Sequence, residues 1–322
     1  MNYNLTAAVI GSGYIGKRHI AAYKSLGLDI VICSNDVETG KKLADEYNTK
    51  FYEDYNEMFK KEKLDVVSVC LPTFLHYQAT MAALDNNINV ICEKPFTFSS
   101  DEAKEMIKKA KEKELLLMVG HCVRFMQPYE YLKRCVNDLR FGKLVFLNLF
   151  RLGSMPAWSV NNWFADAKLS GGALRDLHVH DTDIVLNVLG MPKDVYTTGT
   201  HFACNTVYDF DCENLSVTAS VAWRNIKNAP GKVGFDAIFE KGSIMFSNGV
   251  LGVYTPEGEV EKPLENEMFG EFFAPIGEDA IKYEIKYFCH CVVNKVYPEI
   301  CPNTESLNTV IINEKETDSI KK

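Results

Sequence analysis

The feature that most constrains the fold is a glycine-rich turn that directly follows an apolar strand and opens a helix. Residues 5–10 are apolar apart from Thr6. Gly11, Gly13 and Gly16 follow with the spacing G-x-G-x-x-G, and helical periodicity extends over about 15–26. The first glycine permits the tight turn, the second lets a pyrophosphate approach the backbone, and the third lets helix and strand pack closely. The free N–H groups and the dipole at the helix N-terminus favour phosphates. In this context the motif predicts a dinucleotide site. Two further residues of the turn are predicted to line it: Tyr14 and Ile15.

The pattern after the first helix alternates between short apolar runs and helix-like segments. The apolar runs are 29–34, 64–72, 89–95 and 115–125, and the helix-like segments are 37–47, 74–87 and 101–114. This alternation predicts an α/β domain with a doubly wound parallel sheet. Right-handed crossovers place the nucleotide at the carboxyl ends of such strands. The cofactor-binding residues predicted at these ends are Ser34, Asn35, Leu71, Pro72, Thr73, His76, Glu93 and Lys94.

The end of the second strand bears on the choice between NAD and NADP. An acid at this place often binds the ribose hydroxyls and repels a 2′-phosphate. Here the position is Ser34, followed by Asn35 and Asp36. Serine admits a 2′-phosphate, but no arginine follows to hold one, and Asp36 would oppose it. The sequence leaves both cofactors open, with a lean to NAD.

Length, charge and cysteine content limit the number of domains, the partners and the compartment that we expect. A chain of 322 residues predicts two domains, which we place at 1–122 for dinucleotide binding and 123–322 for substrate binding and oligomerisation. The net charge of −8 argues against a nucleic-acid partner. No apolar run approaches the ~18 residues of a membrane span, so we expect a soluble protein without a membrane partner. Ten cysteines scattered through apolar segments are typical of a reducing cytoplasm.

The second half of the chain has a different pattern. A helix-like segment at 127–142 precedes strand-like segments, with few helices between them, at 143–153, 192–203, 214–224, 234–247 and 251–256. This predicts an α+β domain with an open, mainly antiparallel sheet. One sheet face alternates Val, Phe and Ile, and we expect it to join copies of the chain into a homo-oligomer, a dimer or a tetramer. Helices at about 278–322 are predicted to pack back on the first domain.

The stretch GGALRDLHVHDTD, residues 171–183, concentrates titratable groups. Two chemistries are open: His-x-His with nearby Asp resembles a metal-ligand set, and a carboxylate beside a histidine suits proton transfer. Apolar spacing over 173–190 predicts a helix. At roughly 100° per residue, Asp176, His180 and Asp183 lie within about 60° of one another, whereas His178 points about 160° from His180. This geometry disfavours a metal site, so we predict no metal and a catalytic Asp176–His180 pair.

Several residues are candidates for contacting the substrate. The loop 154–170 carries Trp158 and Trp163, whose flat apolar faces suit a polyol, although either tryptophan also fits a core. Arg124 and Arg151 would bind a negative substituent, or else form surface salt bridges.

Four segments give the chain a resemblance to a known family: GSGYIGKRH (11–19), LPTFLH (71–76), CEKPF (92–96) and SGGALRDLHVHDTD (170–183). With them the sequence resembles the glucose–fructose oxidoreductase, inositol dehydrogenase and rhizopine-catabolism family (Gfo/Idh/MocA). The resemblance implies NAD(P)-dependent oxidation or reduction of a secondary alcohol on a sugar, cyclitol or related polyol. It also implies that Lys94 lies between substrate and nicotinamide and that His180, in a D-x-x-x-H pair with Asp176, is the general acid/base. Two departures are His178, where the family usually has glycine, and Ser34, where it commonly has an acid.

Hydride transfer defines what these residues would do. The hydroxyl proton leaves to His180, and Lys94 stabilises the charge that develops on the same oxygen. The alternatives are an NAD(P)-binding sensor without turnover, which would not need Lys94, Asp176 and His180 together, and a metal-dependent hydrolase using HVHDTD, which the helix geometry disfavours.

Overall fold

A computed structural model of the chain describes residues 3–156, 160–224, 226 and 230–320. The chain divides into two compact units. One is formed by Met1–Cys122 and Asp279–Val310, and the other by Val123–Glu278 and Ile311–Lys322. The C-terminal part of the chain is thus shared between the units.

The first unit is built on a six-stranded parallel sheet. Its strands are β1 (Thr6–Ile10), β2 (Asp29–Cys33), β3 (Lys50–Tyr52), β4 (Val66–Val69), β5 (Asn89–Glu93) and β6 (Leu117–Gly120), in the order β3-β2-β1-β4-β5-β6. The helices are α1 (Tyr14–Ser25), α2 (Val37–Tyr47), α3 (Tyr55–Lys61), α4 (His76–Asp85) and α5 (Ser100–Glu112). The order reverses between β1 and β4, which confirms the predicted doubly wound sheet.

The sequence pattern explains most of this sheet. Strands β1 and β4 are mostly apolar and almost wholly buried, as expected for strands covered on both faces. The edge strand β3 was not predicted, because its three residues are at most half-buried and one is a lysine. Side-chain caps begin three of the helices: Asp36 caps α2, Asp54 caps α3 and Ser99 caps α5.

The second unit contains an eight-stranded sheet. Its strands are β7 (Leu144–Ser154), β8 (Asp194–Thr200), β9 (Ala203–Asp209), β10 (Ser216–Arg224), β11 (Lys232–Phe239), β12 (Gly242–Ser247), β13 (Val250–Thr255) and β14 (Gly258–Glu259). They lie in the order β14-β13-β12-β11-β7-β10-β9-β8, antiparallel throughout except for the pair β10–β7. The helices that precede or interrupt them are α6 (Gln127–Asn137), α7 (Ala167–Ser170), α8 (Gly172–Asp176) and α9 (Val179–Leu189). The predicted open, mainly antiparallel sheet is therefore confirmed.

Individual strands of the second sheet differ from the prediction. The segment predicted at 192–203 turns after Thr200, and β9 then follows as a strand that was not predicted. The segment predicted at 234–247 is two strands, since the chain reverses at 240–241. In both cases the missed feature is a tight hairpin turn.

Two helices complete the chain, α10 (Ala280–Asn294) and α11 (Asn303–Ile320). Helix α10 packs on α1 and β6, and Arg18 of α1 forms an ion pair with Asp279 at the start of α10. Residues 303–310 of α11 belong to the first unit and its later turns to the second. Within the described ranges, none of the helices has the length and apolar character needed to span a bilayer.

Candidate active site

The predicted cofactor residues of the first unit lie along one edge of the parallel sheet. Strands β1, β2, β4 and β5 end in register at this edge. The Gly11 N–H donates to the Cys33 carbonyl at 2.8 Å, and the Cys70 N–H donates to the Ile10 carbonyl at 2.8 Å. These bonds hold the three loops that follow β1, β2 and β4 together, as a nucleotide crevice at a topological switch point requires.

The three glycines of the turn differ in what surrounds them. Gly11 has φ +113°, and a Cβ placed there would lie 2.3 Å from the Cys70 carbonyl oxygen. A Cβ at Gly16 would lie 2.0 Å from the Gly11 carbonyl oxygen, whereas a Cβ at Gly13 meets no described atom within 4 Å. The outer glycines are therefore required by packing, and the middle one leaves its backbone open. Tyr14 is exposed beside it, with the Arg18 guanidinium 5.6 Å from its ring centre, and Ile15 is half-buried.

The loop after β2 is fixed by short polar contacts. The Ser34 and Ser12 hydroxyls lie 2.7 Å apart, and Ser34 also accepts from the Asp36 N–H at 3.1 Å. The Asp36 carboxylate accepts from the Thr39 N–H at 3.1 Å as the cap of α2. Asn35 is exposed. A negative charge therefore stands two residues beyond the position that usually selects between NAD and NADP.

The loop after β4 contains Leu71 and Pro72, both half-buried, and Thr73, which opens a short 3-10 helix, Thr73–Leu75. His76 follows and is buried. Its Nε2 lies 2.7 Å from the Leu71 carbonyl, its Nδ1 lies 2.9 Å from the Pro95 carbonyl, and burial lowers its pKa. His76 thus joins the loops after β4 and β5, a role that the sequence did not reveal.

Glu93 and Lys94 stand at the end of β5. The Glu93 carboxylate is buried, 3.0 Å from His19 Nε2, and His19 Nδ1 is 2.9 Å from the Ser68 hydroxyl. Burial opposes ionisation of Glu93, but the His19 hydrogen bond and the Lys94 charge lower its pKa overall. The Lys94 N–H donates to the other Glu93 oxygen at 3.1 Å, and the Lys94–Pro95 peptide is cis. Glu93 therefore fixes the backbone from which the half-buried Lys94 side chain projects.

One group of residues in the described part of the chain has ligand atoms spaced for a metal ion. It consists of His19, Glu93 and Glu284, whose atoms lie within 4.8 Å of one another. Both ring nitrogens of His19 already contact protein groups. Among the residues that the structure describes, none of those at 171–183 belongs to such a group.

The stretch 171–183 lies in the second unit and begins with two glycines in left-handed conformations. Gly171 has φ +72° and Gly172 has φ +71°, and a Cβ on Gly172 would lie 2.3 Å from the His201 carbonyl oxygen. The prediction of one continuous helix over 173–190 is wrong, because α8 ends at Asp176 and α9 begins at Val179. The regular 100° rotation therefore cannot be carried from Asp176 to His180.

The polar residues of this stretch face different partners. Asp176, the last residue of α8, is largely buried, and His180, the second residue of α9, is half-buried. The Asp183 carboxylate accepts two hydrogen bonds from Arg124, from Nε at 2.8 Å and from Nη2 at 2.7 Å. Both side chains are fully buried. Both oxygens of Asp183 are therefore used by Arg124. Arg124 thus forms a salt bridge, in the interior and not on the surface.

The other candidate substrate residues are Arg151, Trp163 and Trp158. Arg151 donates to the buried Asp181 at 2.9 Å, so it too forms a salt bridge. Trp163 is half-buried and stacks on Phe164 with ring centres 4.0 Å apart. Trp158 lies outside the described residues.

Comparisons with known proteins divide the chain as its sheets do. Residues 5–121 match a family model described as oxidoreductase family, NAD-binding Rossmann fold (GFO_IDH_MocA). Residues 129–253 match the GFO/IDH/MocA C-terminal domain.

The chain is also similar to individual curated proteins and solved structures. A 2,7-anhydro-N-acetylneuraminate hydratase of Mediterraneibacter gnavus is 29% identical over 61% of this chain and 52% of its own length. D-glucoside 3-dehydrogenase of Escherichia coli K12 is 29% identical over 67% of this chain and 65% of its own length. The chain thus spans between half and two thirds of the length of these curated relatives. A levoglucosan dehydrogenase solved with NADH and levoglucosan has a TM-score of 0.83 at 18% identity, covering 99% of this chain and 97% of its own, and shows the shared fold.

Proposed function

The chain belongs to the Gfo/Idh/MocA oxidoreductase family, and we propose that it transfers hydride between a nicotinamide cofactor and a secondary alcohol or ketone of a sugar, cyclitol or sugar derivative. The observation that carries this proposal is the sheet edge at which the open Gly13 backbone and the fixed Lys94 both stand. The first suits a pyrophosphate and the second an oxygen that gains negative charge. The names of relatives that dehydrogenate glucosides and levoglucosan support the substrate class.

We assign the cofactor to the carboxyl edge of the first sheet. The N-terminus of α1 offers its N–H groups and dipole to the pyrophosphate. The residues proposed to line this site are Gly11, Gly13, Tyr14, Ile15, Gly16, Ser34, Asn35, Leu71, Pro72, Thr73, Glu93 and Lys94, with His76 holding two of its loops together. The bound cofactor supplies the hydride acceptor or donor.

The proposed roles of the protein residues concern the proton and the oxygen. His180 takes the hydroxyl proton during oxidation and returns it during reduction. Asp176 stabilises the protonated imidazole, and Lys94 stabilises the negative charge that develops on the reacting oxygen. Trp163 offers an apolar ring face to the substrate. We do not assign a substrate contact to Arg124, because its guanidinium forms a buried ion pair with Asp183.

We propose NAD as the preferred cofactor. Asp36 caps α2 with its carboxylate, so its negative charge is held near the end of β2, where it would oppose a 2′-phosphate. The sequence has no arginine between 34 and 40 to hold that phosphate.

A redox-neutral hydration or elimination is a second candidate, favoured by the similarity to the hydratase. Such a reaction leaves the cofactor unchanged after each turnover. Absorbance at 340 nm would miss it, so products must also be followed by mass.

Two further proposals concern the state of the protein. We propose that copies of the chain associate through the outer face of the eight-stranded sheet. Strand register places on this face six exposed apolar residues: Tyr196, Val207, Ile238, Met245, Val250 and Tyr254.

We also propose a cytoplasmic location, because all ten cysteines are free thiols, most of them buried, as a reducing compartment allows.

The first experiment measures thermal unfolding with NAD⁺, NADH, NADP⁺ and NADPH in separate samples. A ligand that binds only the folded state adds ~2.7 kcal/mol of stability at a hundred times its Kd. We expect NAD⁺ or NADH to stabilise most. Equal or greater stabilisation by NADPH would contradict the NAD preference, and no stabilisation by any dinucleotide would contradict the function itself.

The second step is a sugar and cyclitol screen with product masses, followed by the variants Lys94→Ala, His180→Ala and the double variant. Each single change should lower kcat by about 10²-fold or more, and His180→Ala should leave the Kd for the cofactor nearly unchanged. The double variant should lose less than the product of the two, because both residues act on one step. Lys315→Ala, a change at an exposed lysine, is the control. Full activity of His180→Ala would remove His180 from the mechanism.

A further inference from the structure

A buried polar cluster lies in the second unit, and the proposed reaction leaves it unused. Its members come from the link between α8 and α9, from α9 itself, from the sheet and from α11: His178, Thr182, Thr206, Tyr208, Asn313 and Glu316. None of their side chains is substantially exposed, and Glu316 and His178 have no exposed surface. A buried carboxylate such as that of Glu316 is costly unless it is paired and hydrogen-bonded.

Glu316 is the centre of the cluster. Thr182 Oγ1 and the Tyr208 hydroxyl each donate to Glu316 Oε1 at 2.9 Å, and Asn313 Nδ2 donates to Oε2 at 2.9 Å. His178 Nε2 lies 3.5 Å from Glu316 Oε1, and 2.9 Å from the Thr206 hydroxyl. The carboxylate thus has three donors and one basic partner, which is close to full use of its acceptors.

The charges of the cluster support each other. Burial alone disfavours the His178 cation, but the Glu316 carboxylate more than offsets this and raises the pKa of His178. Burial and the same carboxylate raise the pKa of Tyr208 well above its ordinary value, so its phenol remains a donor. The other charged groups that act on His178 are Asp181 of α9 and Arg151 of β7.

His178 also controls the backbone where the two helices meet. Its N–H donates to the Ala173 carbonyl in α8 at 2.8 Å. Its carbonyl accepts from the N–H groups of Asp181 and Thr182, at 2.8 and 3.0 Å, and so begins α9. A displacement of His178 would therefore turn α9 at its first residues, where His180 lies.

Helix α11 holds the other side of this junction as well. Asn313 Nδ2, which donates to Glu316, also lies 3.2 Å from the Leu174 carbonyl of α8. One turn later Thr317 accepts from Arg175 Nε at 3.0 Å. Two turns of α11 therefore fix both helices that carry the proposed catalytic pair.

We propose that His178 and Glu316 are positioning residues, which lock the junction of α8 and α9 and thereby set the direction of His180 relative to Asp176. The proposal rests on the proposed function, since positioning matters to turnover only if His180 transfers the proton. It gives the C-terminal helix a role in the reaction and gives His178 a purpose that is neither catalytic nor metal-binding.

Kinetics provide the first test. In Glu316→Gln and His178→Gln we expect kcat, corrected for the fraction of protein that binds cofactor, to fall at least tenfold, with Kd for the cofactor and KM for the substrate within about twofold. The solvent deuterium isotope effect on kcat should rise, because a misplaced base makes proton transfer slower. Glu257→Gln, the same change at an exposed glutamate of the same unit, should behave like the unaltered protein.

A purely structural role predicts a different result. Loss of stability alone lowers the fraction of active protein but leaves the corrected kcat and the isotope effect unchanged, and that outcome would overturn the proposal. Thr182→Val removes one hydrogen-bond donor to Glu316 with little change of shape. It replaces Glu316→Gln in this test if that variant does not fold. It should show the same changes to a smaller degree, and an unchanged isotope effect there would count against the proposal equally.

Histidine NMR titration tests the proposal without any turnover. In Glu316→Gln the pKa of His178 should fall, and the imidazole signals of His180 should shift, because the junction relaxes. If the protein turns over no sugar or cyclitol but the His180 signals still shift, the proposed function fails and the positioning stands. If His180 signals are the same in both proteins, the positioning is wrong whatever the activity.

Discussion

At the scale of single residues, the pair Arg124–Asp183 illustrates how a candidate ligand can be a structural element. The guanidinium and the carboxylate form two hydrogen bonds, at 2.7 and 2.8 Å, with no exposed surface on Arg124. Breaking a buried pair leaves an uncompensated charge and typically costs about 3–5 kcal/mol. We expect Arg124→Ala to lower the free energy of unfolding by about this amount, as measured by urea denaturation.

A double variant separates the charge effect from lost packing. Arg124→Met with Asp183→Leu removes both charges and keeps most of the volume, so it should recover much of the stability lost in Arg124→Ala. If Arg124→Ala were as stable as the natural protein but bound substrate poorly, Arg124 would return to the list of substrate contacts.

Residues differ in how far the sequence alone could reveal their roles. Gly11 and Gly16 are predictable because the constraint is local: a turn and a helix need them within six positions. The partner of Arg124 is 59 residues away, and Thr182 meets Glu316 at a separation of 134 residues. Pairings of this kind depend on tertiary packing, and no spacing in the sequence encodes them.

At the scale of elements, the junction of α8 and α9 shows where periodicity misleads. Apolar residues over 173–190 keep helical spacing, since both helices bury one side against the same unit. The break falls at two residues, Leu177 and His178, whose side chains do not interrupt the pattern. At this break His178 contacts Thr206 and Glu316, and a single sequence does not show these contacts.

The entry into α8 yields a prediction at the same scale. Gly172 has φ +71°, and a Cβ there would lie 2.3 Å from the backbone oxygen of His201. Because both the conformation and the close contact oppose a side chain, we expect Gly172→Ala to lower the free energy of unfolding by about 1–3 kcal/mol or more. Gly153→Ala is the matched control, since its Cβ meets no described atom within 4 Å. Equal stability of the two variants would show that the entry into α8 can adjust.

At the scale of the whole molecule, the two sheets were predictable in kind because each has its own pattern. Buried strands separated by helices indicate the parallel sheet, and alternating strands joined by turns indicate the antiparallel one. The division of α11 between the two units was not predictable, because it depends on the long-range contacts that each part of the helix makes.

The outer face of the second sheet gives the last prediction. Ile238 is 48% exposed and Met245 is 49% exposed, and they lie on adjacent strands of one face. Exposed apolar residues gathered on one face often mark an interaction surface, and a two-fold dimer would cover them with the same surface of a second copy. We therefore expect the natural protein to be an oligomer by light scattering after gel filtration, and Met245→Glu to shift it towards the monomer, because each interface would bury unpaired carboxylates.

A matched substitution tests whether position or charge is responsible. Met268, also in the second unit, is 94% exposed, so Met268→Glu adds the same charge away from the sheet face. It should leave the oligomer intact at the same protein concentrations. If the natural protein is a monomer across the micromolar range, or if both variants dissociate alike, the outer sheet face is not the interface, and its apolar residues need another explanation.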